Sequence, residues 1–463
     1  PQAAEDGAAA ASAPPAGGGQ AQTAAVPSRP AYHILRYQED YRFLADFNGE
    51  KDAFDPIKYI RLGPRPDFYL SLGGQGRSRY EYFRNGGFSA GDQNNDFMLF
   101  RGQLHADLHL SSHFRAFAQL STLHALDPEQ PPSPLDNNDL DLQQGFGEAR
   151  LPLTGERALW ARIGRQEVVL GSGRLVAIRK GPNFRRSFDM LRLGYAGPWR
   201  VDLMAGAAVR PEPGVFDDGL DEDDVMWSAY STGSVLPAGR LSGDAYYIGT
   251  RRTARSFTDA QGRELRHSLG TRLFGAWQAV DYNFEAVLQL GRVDSTPIRA
   301  WTVASDSGYR LSLGDADLRL GVKANAISGD RSVGDGRLGT FDALYPNLKY
   351  FSEAGLIVPS NLIDLHPGLA LRYGPWQLKF DWDVFWRYST ADAVYGPPGV
   401  VVIPAAASDA RFISHQTTTE LILAANRHVS LTFYYVHAFR GAVMRDAGLG
   451  AVDFFGTWVE LIF

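Results

Sequence analysis

No cysteine occurs among the 463 residues, which excludes thiolate nucleophiles, disulfides and cysteine-based metal sites and suits a chain that crosses an oxidising periplasm. No apolar run reaches the roughly 18 residues that a membrane-spanning helix needs. If a bilayer is crossed, the crossing element is a closed barrel, because lipid offers no partner to a free backbone N–H or C=O. Charge of one sign is scarce too. The 46 Lys and Arg stand against 52 Asp and Glu, a net charge of -6, so no whole-chain basic field points to nucleic acid. The motifs GxSxG, HExxH and GxxxxGK are missing along with paired cysteines. Of the 10 histidines, His105, His109 and His113 stand four apart but fall on strands and a turn, which gives no metal set. No cofactor, metal or catalytic residue is expected. The chain also starts at Pro1 without a basic and apolar leader, as expected after removal of a signal peptide.

Three regions follow from composition. Residues 1–30 are almost all Ala, Pro, Gly, Gln and Ser, which bury too little surface to fold, and read as a disordered leader. Residues 31–66 are charged and aromatic without a period of two, and read as an amino-terminal periplasmic, plug-like segment. From 67 to 463 alternation takes over. In Trp376 to Tyr388 the even positions are Trp376, Leu378, Phe380, Trp382, Val384, Trp386 and Tyr388, while Gln377, Lys379, Asp381, Asp383 and Arg387 take odd ones. Val280 to Leu290 and Ala316 to Ala326 repeat the pattern, which is that of strands with one apolar and one polar face.

About 18 such strands are predicted, from roughly 68–83 to 452–463, with 225–236, 242–252, 265–277, 280–292 and 298–311 among them. Their connections alternate in length. Short ones fall at Gly314-Asp315 and Gly374-Pro375, and long ones at 168–188, 210–224, 253–264, 329–360 and 389–411. The expected fold is therefore all-β, a transmembrane antiparallel barrel with short periplasmic turns and long extracellular loops. Tyr195, Trp199, Tyr373, Trp376 and Tyr388 near strand ends fit interface girdles. The last strand, VDFFGTWVELIF, ends on the aromatic Phe463, as expected of a signal read by the barrel-assembly machinery.

The stretches GRQEVVLGSGRLVAIRKGPNFRRSFDMLRL (Gly164 to Leu193) and SGDRSVGDGRLGTFDALYPNLKYFSEAGLIVPSNLIDLHPGLAL (Ser328 to Leu371) resemble the alginate-export family of outer-membrane proteins. YLSLGGQGRSRYEYF (Tyr69 to Phe83) and GEARLPL (Gly147 to Leu153) do so as well. The resemblance runs from about Arg36 to Phe463. It implies an 18-stranded, monomeric barrel whose prototype exports a polyanion through a lumen lined with Arg and Lys. Many members carry these blocks without a link to alginate, so the resemblance speaks for the fold more than for the solute.

Alternation assigns an inward set if apolar residues face lipid. Its cations are Arg77, Arg79, Arg101, Arg115, Arg150, Arg272, Arg319, Lys323, Arg372, Lys379 and Arg387. Its anions include Glu81, Asp107, Glu148, Asp281, Glu285, Asp317, Asp381, Asp383 and Glu420. Arginine binds two oxygens of a carboxylate at once and stays ionised, so a group of them favours anions in a pore. Any single one reads first as a brace against an inward Asp or Glu. The connection after Gly171 adds Arg174, Arg179, Lys180, Arg185 and Arg186, read either as a cationic constriction folded into the lumen or as an exposed loop on lipopolysaccharide phosphates. The run Asp217, Asp218, Asp221, Glu222, Asp223 and Asp224 offers oxygen ligands but lacks calcium-loop spacing, and reads as a solvated charge run.

The leading function is an outer-membrane channel passing anionic solutes or an alginate-like polysaccharide without chemistry. The alternatives are a barrel enzyme of the phospholipase or protease type, for which His267, His366 and His415 lack an evident partner, and a plugged receptor. Expected partners are outer-membrane lipid, lipopolysaccharide, the transported anion and the assembly machinery at Phe463; nucleic acid is not expected.

Overall fold

A computed structural model describes residues 29–88, 94–126, 135–347 and 351–463. Residues 1–28 of the expected leader lie outside the described residues. Eighteen long strands form the wall: β1 (Tyr69–Arg84), β2 (Asn94–His109), β3 (Phe114–Leu126), β4 (Asn138–Pro152), β5 (Ala158–Gln166) and β6 (Phe188–Ala196). They continue as β7 (Trp199–Arg210), β8 (Gly219–Leu236), β9 (Leu241–Ser256), β10 (Gln261–Trp277), β11 (Val280–Val293) and β12 (Thr296–Leu313). The last six are β13 (Ala316–Ile327), β14 (Leu362–Tyr373), β15 (Trp376–Arg387), β16 (Phe412–Ala424), β17 (Val429–Arg440) and β18 (Val452–Ile462). Each pairs antiparallel with the next, and β18 returns to β1 in register from Gln75 opposite Ile462 to Arg84 opposite Asp453. Closure leaves no sheet edge unpaired in lipid, and the even strand number puts both ends of the wall on the side of the short turns.

The alternation sets which face meets lipid. Leu104, Ile163, Leu269, Phe284, Leu320 and Trp382 are exposed on the outside, while Arg101, Arg162, Arg266, Glu285 and Asp383 are buried inside. Tyr373, Trp376, Trp199 and Trp277 are exposed near the short turns, where an aromatic girdle meets headgroups. Gly164 sits at φ 127 on β5, and a Cβ there would run into the carbonyl oxygen of Gly145 on β4. Glycine is required at this close approach of two strands.

Two features depart from the sequence expectation. The connection expected over 253–264 is only the four residues 257–260, and Asp294-Ser295 alone joins β11 to β12 on the long-loop side. Strand pairing continues past the apolar band into the polar rim, where backbone hydrogen bonds hold without an alternating pattern. For the same reason the run from Asp221 to Asp224 lies within β8, with Asp224 paired to Arg252 of β9, rather than in a loop.

The largest apolar cluster lies inside the barrel rather than behind the wall. The connection 328–361 contributes Leu338, Phe341, Tyr345 and Leu356, and the connection 388–411, with a small hairpin of Val394–Gly396 and Val400–Ile403, contributes Tyr395 and Ile403. They pack with Phe188, Met226, Ile248 and Phe385 from the wall, so the extracellular half of the lumen is filled by its own loops.

Candidate conduction site in the barrel lumen

The segment 167–187 turns inward. Its middle pairs with the other inward loop: Ala177 N–H donates to Tyr345 O at 2.9 Å, Tyr345 N–H to Leu175 O at 2.8 Å and Asn347 N–H to Gly173 O at 2.9 Å. Arginines of the wall hold it there. Arg77 donates to Lys180 O and to Asn183 Oδ1 at 3.0 Å each, and Arg101 reaches Lys180 O and Pro182 O at 3.4 Å. From the loop itself, Arg174 crosses to Glu285 of β11 at 2.9 Å and Asn325 of β13 at 3.0 Å. Arg185 closes on the buried Glu167 at 2.5 Å, and Arg186 stacks over Tyr345 at 4.8 Å. The loop is a constriction built from charge-assisted bonds to carbonyls and carboxylates.

Most of the remaining inward cations are also partnered. Arg79 lies on Glu81 and on Glu353 of the inward loop, Arg115 on Asp107, Arg272 on Asp244, Arg319 on Asp281 and Asp306, and Lys379 on Glu420. Arg387, fully buried, donates to the carbonyls of Ser408 and Ala410 and so ties the 388–411 loop to β15. Lys323 is half-buried opposite Asp306, and Arg372 is exposed opposite Asp317 near the short turns.

Two cations stand differently. Arg150 is exposed on the cavity at the turn end of β4. Arg179 lines the same cavity with its backbone at φ 56, a left-handed conformation unusual for a residue with a Cβ. No hydrogen bond or ion pair joins it to another described residue, and burial pushes its guanidinium down to about 10, still a cation at neutral pH. Non-glycine residues held in this region cluster at functional sites.

The cavity encloses about 1290 Å³ between the constriction and the short-turn end of the barrel. Thirteen Arg and Lys against ten Asp and Glu line it, an excess of positive charge inside a chain whose net charge is -6. Residues 29–66 cover this end. Tyr37 inserts among Phe117, Phe146 and Ile178, and its hydroxyl donates to Glu167 O at 3.0 Å. Arg36 donates to Glu39, to Gly74 O at 3.0 Å and to Phe463 O at 2.8 Å. Arg185 of the constriction donates to Ile34 O at 2.8 Å, so the segment and the loop touch.

Sequence reading left His366 without a partner. The fold sets its ring between Asp364, 2.7 Å away, and Asp383, 2.6 Å away, on β14 and β15. Asp364 is two residues before it and inward by the same alternation, a signal that local spacing carried; Asp383 comes by strand register. The stacked Phe351 and edge-on Phe385 cover this cluster, which leaves it a brace in the wall.

A closed barrel with a lipid-facing exterior and a narrowed, charged lumen defines an outer-membrane channel of the porin type. The alginate export family model matches residues 68–456, and the chain belongs to that family. Its backbone is similar to that of a BenF-like porin from Pseudomonas fluorescens Pf-5, at 8% identity over 85% of this chain and 98% of the porin, with TM-score 0.55. OccAB1 of Acinetobacter baumannii is similar at 11% identity, 89% and 99% coverage and TM-score 0.54. OccK2 of Pseudomonas aeruginosa, solved in complex with glucuronate, is similar at 10% identity, 85% and 98% coverage and TM-score 0.55. At such identities the likeness is one of fold. No curated protein sequence matches the chain.

Proposed function

We propose that this channel passes carboxylate-bearing solutes, sugar acids or a polyuronate, without altering them. The observation that carries the reading is Arg179: a desolvated guanidinium with no hydrogen bond or ion pair to another described residue, presented to a cavity with an excess of cations. Such a group binds a carboxylate without first breaking an internal ion pair. Arg150 and Lys180 on the same cavity extend the path, and the paired arginines keep the wall rigid around it. Glucuronate in the similar OccK2 barrel fits this solute class. The missing nucleophile motifs support a channel that carries out no catalysis. The apolar exterior suits a barrel seated in outer-membrane lipid and lipopolysaccharide, and the aromatic Phe463 suits recognition by the assembly machinery.

Single-channel recording in a planar bilayer under a salt gradient tests the proposal. Anion-selective current that glucuronate or polyuronate blocks, with block weakened in Arg179→Ala, is the expected result. Cation-selective current, or block unchanged in Arg179→Ala, overturns it.

A further inference from the structure

Arginines at the extracellular rim of the barrel fall into two groups. Arg84 of β1 lies on Asp453 of β18, and Arg165 of β5 on Asp189 of β6 at 2.9 Å, so both are neutralised within the protein. Across β10, β11 and β12 the rim arginines are not. Arg263, Arg292 and Arg299 are exposed, while their chain neighbours Glu264, Val293, Ile298 and Ala300 are buried on the inner side, so alternation points the three guanidinium groups out of the barrel. Arg292 stands opposite Leu265 and Pro297, and Arg299 opposite Leu290, which sets the three on adjoining strands.

Two more join them from the connection 328–361. Leu338 bridges to Ile298 with both side chains buried inside, so the exposed Arg337 continues the outward face beside β12. Arg331 lies over the ring of Tyr388 at 5.0 Å, and that ring stands edge-on to the exposed Trp301 at 5.6 Å. Among the described residues no ion pair reaches any of these five arginines. The acids on the same stretch are turned to the backbone: Asp294 accepts from Arg263 N–H and Asp335 from Arg337 N–H, at 2.9 Å each.

A second observation lies below them, on the lipid-facing surface of the same strands. Small side chains at Ala286, Ser305, Ala324 and Ala326 leave a recess of about 660 Å³ between Phe284 of β11 and Trp386 of β15, and its lining is almost wholly apolar. Val303, on its border, is four residues along β12 from Arg299, and Ala286 is six along β11 from Arg292. At a strand rise of about 3.4 Å per residue, about 14 to 20 Å separates the cations from the recess.

We propose that Arg263, Arg292, Arg299, Arg331 and Arg337, together with the recess beneath them, bind one molecule of lipopolysaccharide from the outer leaflet. Guanidinium forks match the phosphates of its head, and the spacing to the recess is that between such a head and the acyl chains it carries. Trp301 and Tyr388 lie at the level between the two, where aromatic rings suit the interface. A phospholipid with a single phosphate would leave most of the five arginines without an anion. This assignment rests on the seating of the barrel in the outer membrane and is independent of the solute that the lumen passes.

Native mass spectrometry of the whole protein, stripped of lipid in detergent micelles and titrated with lipopolysaccharide, is the test. One saturable adduct is expected, surviving an excess of phosphatidylglycerol and lost when the lipopolysaccharide is dephosphorylated. Arg263→Gln with Arg292→Gln and Arg299→Gln should weaken it by about tenfold or more, whereas Arg210→Gln with Arg440→Gln, elsewhere on the rim, should leave it unchanged. Ala326→Leu, which fills the recess without touching a charge, should also weaken it and remains informative if the triple variant fails to assemble. No saturable adduct, binding that survives dephosphorylation, displacement by phosphatidylglycerol, or affinity unmoved by the triple variant or by Ala326→Leu overturns the proposal.

Discussion

At the scale of single residues, the lumen separates cations that hold the protein together from those left to face a solute. Glu167 and Arg185 belong to the first kind, wholly buried and 2.5 Å apart. Glu167→Gln leaves Arg185 without its counter-charge and should destabilise the constriction by about 3–5 kcal/mol, seen as faster hydrogen exchange across 168–187; unchanged exchange would sink the brace assignment. Arg179 belongs to the second, and Arg179→Glu should move the reversal potential towards cation selectivity. Lys58 adds a titratable residue. Its ammonium has no hydrogen-bond partner among the described residues and lies near the rings of Tyr32, Tyr41 and Phe463, with the charges of Arg36, Glu39, Asp52 and Arg427 around it. Burial, aided by Arg36, pushes it down from the ordinary 10.5 to about 7. The docked segment therefore prefers neutral Lys58, and docking is opposed most at and below pH 7 and strengthens as pH rises from 7 towards 10.5. Protease protection of residues 29–58 should rise over that range in the native protein and stay flat in Lys58→Met; protection that falls with pH would contradict the assignment.

At the scale of elements, strands and loops divide the work. The strands supply a wall whose register is fixed by the period of two, because a slip of one residue would turn every charge towards lipid. The loops supply the obstruction. Residues 29–58 attach to the barrel through Arg36 on Phe463 O, Tyr37 on Glu167 O and Asp52 on His428 and Arg427. Each of those contacts can be removed without breaking a strand pair. Deleting 29–58 should leave the barrel assembled and raise single-channel conductance; equal conductance would show that the segment does not obstruct the path. The wall was legible in the sequence, since Trp376 to Tyr388 already displayed its two faces. The docking of Tyr37 was not, because its partners Phe117, Phe146 and Ile178 come from three distant stretches. Arg179 could be named as a lumen candidate, but that no ion pair joins it to another described residue depended on where the chain placed its carboxylates.

At the scale of the whole molecule, a net-negative chain encloses a cation-rich cavity because folding sorts charge by face rather than by count. Many acidic side chains lie on rims and loops, whereas the cavity gathers arginines from several strands and from the constriction. Electrostatic preference of this kind is screened by salt. Anion selectivity should decline as ionic strength rises, since the Debye length falls from about 10 Å at 0.1 M to about 3 Å at 1 M. Selectivity independent of salt would point instead to close-range coordination at Arg179.

The sequence by itself determined the barrel, its strand number, the side on which both ends of the wall lie and which face of each strand carries charge. Each follows from a local rule: alternation over a few residues, turn length, and the need to pair every backbone group in lipid. Tertiary structure decided which arginines brace and which stay open, that 167–187 and 328–361 fold inward against each other, and that Asn138 of β4 donates to Asp218 of the β7–β8 connection. Those outcomes depend on distances between segments that lie far apart in the chain and become neighbours only when β18 closes on β1.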